Sequence, residues 1–177
     1  MSIALGIRTA VQTFSSRRLG QKKTEESSVA FHNGLIMATV FAFPVAFFGW
    51  SLSEKIVPLF LEDNETILLA IDYTSIAFIG LFFSVYSFVF VGFYTGIEKT
   101  RIHMTVTVLS NFINLYLNAA LIYGSEGIDL FFKESVPTLS FLKVAWSWTY
   151  FPAMGVKGAA LATLTASVWM AVHYSLY

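Results

Sequence analysis

Charged residues are missing from Ser27 through Ser53, from Tyr73 through Ile97 and from His103 through Tyr123. A bilayer crossing needs about 20 apolar residues in a helix. These runs, with Gly155 to Tyr177 at the end, predict four full spans over 29–52, 70–97, 102–123 and 155–177. A fifth apolar stretch, 2–16, is short and interrupted by Arg8, and it predicts only a partial span. Pro44 falls inside the first full span, where it should kink the helix. Gly80 and Ser84 stand one turn apart, as do Gly155, Ala159, Thr163 and Ser167. Small residues at that spacing let two membrane helices approach closely.

The run from His103 to Tyr123 differs from the others. At about 100° per residue, His103, Thr107, Asn111, Asn114 and Asn118 fall within an arc of roughly 80°. Val106, Leu109, Ile113 and Leu117 lie elsewhere on the helix. An amide left without a partner in hydrocarbon costs about 4–8 kcal/mol. The stripe is therefore expected to face other protein or a water-lined cavity. Asn114 and Asn118 are one turn apart, so their side-chain oxygens can converge, and Thr163 could add a hydroxyl. Neutral oxygens of this kind ligate a small hard cation. They equally serve as hydrogen bonds between helices, and spacing alone leaves both readings open.

Between the spans lie polar stretches. Arg17, Arg18, Lys22 and Lys23 precede the first full span, and Glu98, Lys99 and Arg101 precede the asparagine helix. The other two connections hold Lys55, Lys133, Lys143 and Lys157, spread over a greater length. Dense basic loops face the cytoplasm, which places residues 125–152 outside. That segment carries charges and is rich in aromatic residues, including Trp146, Trp148 and Tyr150. It reads as an external insertion at the membrane–water boundary. Asp72 reads as an acidic group near the start of its helix.

Composition agrees with this picture. The chain has 177 residues, 56% hydrophobic and only 12% charged, against about 25% charged in a soluble domain. The predicted class is an all-α integral membrane protein, a polytopic bundle in the plasma membrane. A formal net charge of zero suggests no nucleic-acid partner. No cysteine is present, and the three histidines are far apart in sequence, so no zinc ligand set is expected. No nucleophile–base pair or phosphate-binding loop appears, and neither an enzyme nor a bound cofactor is expected.

The stretches GIEKTRIHMTVTVLSNFINLYLNAALIYG and FPAMGVKGAALATLTAS resemble the MATE family (multidrug and toxic compound extrusion). Their resemblance is to the family's fifth and sixth helices. SSRRLGQKK resembles its loop after helix two, and GFYTGIEKTR its turn after helix four. The resemblance implies a twelve-helix exporter of two six-helix lobes, with this chain supplying helix two to helix six of the first. It implies antiport, in which an organic, often cationic, substrate leaves as sodium or protons enter. It also implies a cation site at Asn114, Asn118 and Thr163, beside the polar stripe of Thr107 and Asn111. A carboxylate from a first helix outside this chain would complete that site.

Two positions depart from the family pattern. Asn118 stands where many relatives have Asp, and Thr95 and Glu98 stand where Arg and Gly are common. The expected partners are a small organic substrate, the bilayer and the remainder of the transporter. The alternatives are a lipid-linked sugar flippase and a non-transporting helical subunit. A flippase cavity should hold several basic residues, whereas Arg8 alone lies within a membrane segment here.

Overall fold

The computed structural model describes residues 2–134, 141, 144, 146–147 and 150–177. The described residues form five helices: α1 (Ser2–Gly20), α2 (Thr24–Ile56), α3 (Asn64–Gly96), α4 (Thr100–Glu134) and α5 (Gly155–Ser175). A short 3-10 turn, Val57–Leu59, extends α2. Four helical stretches are long and apolar enough to cross a membrane: Thr24–Leu59, Asn64–Gly96, Thr100–Leu130 and Gly155–Ser175. Lys143 and Trp148, read from sequence as part of the external aromatic segment, lie outside the described residues.

The helices run past the apolar stretches that announce them. α2 begins at Thr24 because Glu26 is tied to Arg18 at 2.8 Å and to Lys23 at 2.9 Å, so a charged first turn folds as helix. α3 begins at Asn64, where Asp63 caps it by accepting from the Thr66 hydroxyl at 2.6 Å and the Thr66 backbone N–H at 2.9 Å. Those two bonds hold the Asp63 carboxyl below its usual range. Asp72 is therefore more than two turns inside α3 rather than at its start. It pairs instead with Lys157 of α5 at 3.5 Å, in an exposed contact.

α3 is the centre of the bundle. It packs on α1 and α2 to one side and on α5 to the other, and α4 packs mainly on α5. Ala4, Ile7 and Val11 of α1 meet Ala38 and Ala42 of α2 and Val85 and Val89 of α3 in one buried cluster. Phe90, Val91 and Tyr94 of α3 join Val106 of α4 and Tyr174 of α5 in a second. Lipid gives helices no hydrophobic drive to associate, so close backbone contact carries the packing. α2 supplies a buried small-residue row, Gly34, Ala38, Ala42, Ala46, Gly49 and Ser53. α1 crosses α3 so tightly that a methyl on Gly92 would strike the Arg8 carbonyl.

On α5 the small-residue contact is turned from the row the sequence suggested. Gly155 and Thr163 are exposed, whereas Gly158, Ala160, Ala162, Ala166 and Ser167 are buried. Small residues occupy most positions of this helix, so spacing alone did not choose the face. Gly80 packs against Leu164, and the Ser84 and Ser167 hydroxyls meet at 3.3 Å.

The turn between α3 and α4 places Glu98 at a φ of 63°. A side chain in that left-handed region costs roughly 1–2 kcal/mol, which glycine avoids. Glu98→Gly is expected to stabilise the chain by up to about 1 kcal/mol, the gain being offset in part by glycine's freer unfolded chain. A thermal unfolding midpoint in detergent that falls on this substitution would contradict the expectation.

Candidate functional site

α4 carries the polar stripe. Its buried side is Val106, Ser110, Ala120 and Gly124, set against α5 and α3. The stripe lies beside that face: Thr107, Asn114 and Asn118 are half-buried, and Asn111 is exposed on this chain. Asn118 donates from Nδ2 to Asn114 Oδ1 at 2.9 Å. That bond consumes one donor and one acceptor of the pair. It leaves Asn118 Oδ1 open, and the Asn111 amide makes no hydrogen bond among the described residues.

The geometry has a chemical consequence. In the pair as folded, an N–H group rather than an oxygen points at Asn114 Oδ1. Two converging oxygens require the Asn118 amide to rotate, which breaks the bond.

Thr163 is exposed on α5 and donates its hydroxyl to the Ala159 carbonyl at 3.0 Å. Its oxygen lone pairs stay unused by that bond. The structure thus brings Asn114 and Asn118 into direct contact and leaves Thr163 on the neighbouring helix with no hydrogen bond to them.

Two features were not legible from spacing. The first is how the stripe begins. His103 Nδ1 lies 2.7 Å from the Tyr174 hydroxyl and 3.1 Å from Thr107 Oγ1. Tyr174 is fully buried, stacks on Phe90 and Tyr94, and takes a hydrogen bond from the Tyr94 hydroxyl on its own carbonyl at 3.1 Å. The upper part of the stripe is thereby locked to α5.

The second is how it ends. Gly124 has φ 68° and ψ 175°, and this breaks the helical hydrogen-bond ladder of α4. The groups released by the break are satisfied by the chain entering α5. Ser125 N–H bonds the Phe151 carbonyl at 3.0 Å, and the Leu121 carbonyl takes the Met154 N–H at 2.8 Å. The Ser125 hydroxyl accepts from the Phe151 N–H at 2.9 Å. Buried backbone groups must find partners, so the glycine and residues 151–154 act as one joint.

Trp146 lies along α4 rather than at its end. Its indole N–H bonds the Tyr116 carbonyl at 3.1 Å, and its ring stacks on Tyr116 at 5.3 Å. Tyr116 is eight residues before the glycine break, about two turns into the helix. The indole N–H is a donor that needs an acceptor, and the helix carbonyl supplies one. Away from the stripe, a groove of about 650 Å³ runs between α1 and α2, lined by Ile7, Val11, Phe14, Met37 and Phe41 with Asn33 among them.

The family model MatE matches residues 1–120. A probable multidrug resistance protein NorM of Bacillus cereus is 27% identical over 164 residues, covering 93% of this chain and 31% of its own length. One from Pseudomonas putida is 24% identical over 173 residues, covering 98% of this chain and 32% of its own length. One from Thermotoga maritima is 36% identical over a shorter stretch of 76 residues. Among solved structures, the inward-facing conformation of a multidrug resistance MATE family transporter of the MOP superfamily has the same fold. Its TM-score is 0.74 at 22% identity, over 97% of this chain and 33% of that one. The chain spans about a third of the length of the curated relatives that match most of it.

Proposed function

The chain belongs to the MatE family, and from that premise we propose that it forms part of an ion-coupled antiporter exporting organic, often cationic, compounds. Members of the family are transporters and not enzymes, and the chain is a multi-pass membrane protein. The relatives' names, multidrug resistance proteins, support a drug-like substrate class. Alternating access needs two halves that move against each other, so export is a property of the longer protein.

The observation that carries the coupling proposal is the Asn118–Asn114 hydrogen bond on a half-buried polar stripe. A coupling ion would enter by replacing that bond, drawing Asn114 Oδ1, Asn118 Oδ1 and the Thr163 hydroxyl oxygen. Amides and hydroxyls do not titrate in the physiological range. A site of these groups therefore suits sodium better than a proton, and a carboxylate elsewhere in the protein would supply countercharge.

Reconstituting the full-length transporter into vesicles with a fluorescent organic cation tests this. An inward sodium gradient at equal pH on both sides is expected to drive export. Export driven by a pH gradient with no response to sodium would remove sodium from the site.

A further inference from the structure

The groove between α1 and α2 is graded along its length. Apart from Asn33, its walls are apolar from Ile3 to Phe14 on α1 and from Val29 to Phe41 on α2. Arg18 and Glu26 line its other end, where they pair at 2.8 Å. From Ile3 to Arg18 on α1, and from Glu26 to Phe41 on α2, the lining rises roughly 22 Å. One leaflet of a bilayer, headgroup included, is about 20–22 Å thick. The groove thus has the length of a single lipid, with a charged end at the membrane surface and an apolar end near mid-bilayer.

The charged end favours an anion. Arg17, Arg18, Lys22 and Lys23 stand in or beside the α1–α2 turn against Glu25 and Glu26, an excess of two positive charges. Glu26 takes both Arg18 and Lys23, at 2.8 and 2.9 Å, whereas Arg17 and Lys22 have no acidic partner among the described residues. Arg17 is exposed and follows Ala10 and Phe14 at helical spacing, on the face of α1 that lines the groove. Lys22 is exposed in the turn that joins the two walls. The same excess opposes an organic cation in this groove.

Asn33 is the polar exception within the walls. It stands seven residues inside Glu26, about 10 Å along α2. Its amide makes no hydrogen bond among the described residues, and an unpartnered amide at that depth is costly. Side chains of a helix tilt toward its N-terminus, which for α2 is the charged end. The amide therefore leans toward the level of a phospholipid's ester carbonyls, just below the phosphate, with its N–H groups free to donate.

We propose that this groove holds one anionic phospholipid, with its phosphate at Arg17 and Lys22, an ester carbonyl on Asn33 and an acyl chain along the apolar walls. Basic pockets between membrane helices take anionic headgroups in this way, and a guanidinium and an ammonium give the phosphate charge-assisted hydrogen bonds. The groove's two helices pack on the other side of α3 from α5. The site does not depend on which ion drives export.

The test uses the full-length transporter in nanodiscs of equal phosphatidylglycerol and phosphatidylcholine, with retained lipid read by native mass spectrometry. One phosphatidylglycerol is expected to stay bound where phosphatidylcholine leaves. Arg17→Gln combined with Lys22→Gln should cut that preference by about tenfold or more, each basic residue near a lipid surface being worth roughly fivefold. Gly6→Phe should abolish the adduct. Nothing lies within 4 Å of a Cβ at Gly6, which lines the groove, so the ring has the groove to occupy. Asn33→Leu, close in volume, should weaken the adduct about fivefold, the scale of one hydrogen bond. It replaces Gly6→Phe as the deciding variant if phenylalanine lowers the unfolding midpoint. Equal retention of the two lipids, a preference unmoved by the double glutamine variant, or an adduct unchanged by the deciding variant would each overturn the proposal. So would the absence of any adduct on the unmodified protein, which would mean that the rest of the transporter covers the groove.

Discussion

Asn118→Asp, made in the full-length transporter, is expected to raise the apparent sodium affinity of export by about tenfold or more. In the structure Asn118 turns an N–H toward Asn114 Oδ1. Aspartate has no such donor, so the closing bond is lost and a second oxygen takes its place. The substitution also adds a full negative charge. A unit charge 4 Å from a cation is worth about 4 kcal/mol at an effective dielectric constant of 20, before the cost of burying it. A third of that already gives a factor of ten. Asn118→Ala removes the oxygen altogether and should abolish sodium dependence, and Asn114→Ala should do the same. Titrating sodium against initial export rate in the three variants checks this. Equal sodium dependence in all three would remove Asn114 and Asn118 from the ion site.

Gly158→Ala is expected to be the most damaging single methyl in the chain. A Cβ there would collide with the Leu121 carbonyl oxygen, a backbone atom that no rotamer change can move. The same carbonyl holds the Met154 N–H at 2.8 Å, at the joint formed by the Gly124 break. Separating α4 from α5 therefore opens the joint and also shifts the wall that carries Thr163. Overpacking in a well-packed interior costs about 1–3 kcal/mol, and here the loss of the backbone bond adds to it. Gly6→Ala is the control, because nothing lies within 4 Å of a Cβ at that position. In detergent, Gly158→Ala should lower the unfolding midpoint well below that of Gly6→Ala, which should match or exceed the unmodified chain. Equal midpoints would show that the two helices do not meet at this glycine.

The sequence was most legible where apolar residues run without charge. The helices over Val29–Leu52 and Tyr73–Ile97 follow directly from their runs. It was less legible at helix ends, because charge there is not a sign of loop. Glu26 and Asp63 fold into α2 and cap α3 through local partners that hydropathy ignores. The face of α5 was hidden by an excess of small residues, Gly158, Ala159, Ala160 and Ala162 being almost contiguous.

For the candidate site, angular spacing found the asparagine stripe and the contact between Asn114 and Asn118. It could not find Tyr174, which reaches His103 from 71 residues away. Nor could it show that the Asn118 amide points its N–H at its neighbour, since that depends on a rotamer rather than on a position. The joint at Gly124 was marked in sequence only by a glycine ending an apolar run. The exchange of hydrogen bonds with residues 151–154 is a tertiary event.

Ion coupling through Asn114 and Asn118 requires the polar stripe of α4 to face protein or water rather than lipid. The chain has no cysteine, so one introduced cysteine at a time can carry a nitroxide label in the full-length transporter in liposomes. Collision with a water-soluble nickel complex should exceed collision with oxygen at positions 111 and 114. The reverse should hold at Phe112 and Leu115, which are 65% and 68% exposed further round the helix, beyond the stripe. Oxygen-dominated collisions at 111 and 114, equal to those at 112 and 115, would put the amides against acyl chains and contradict the account.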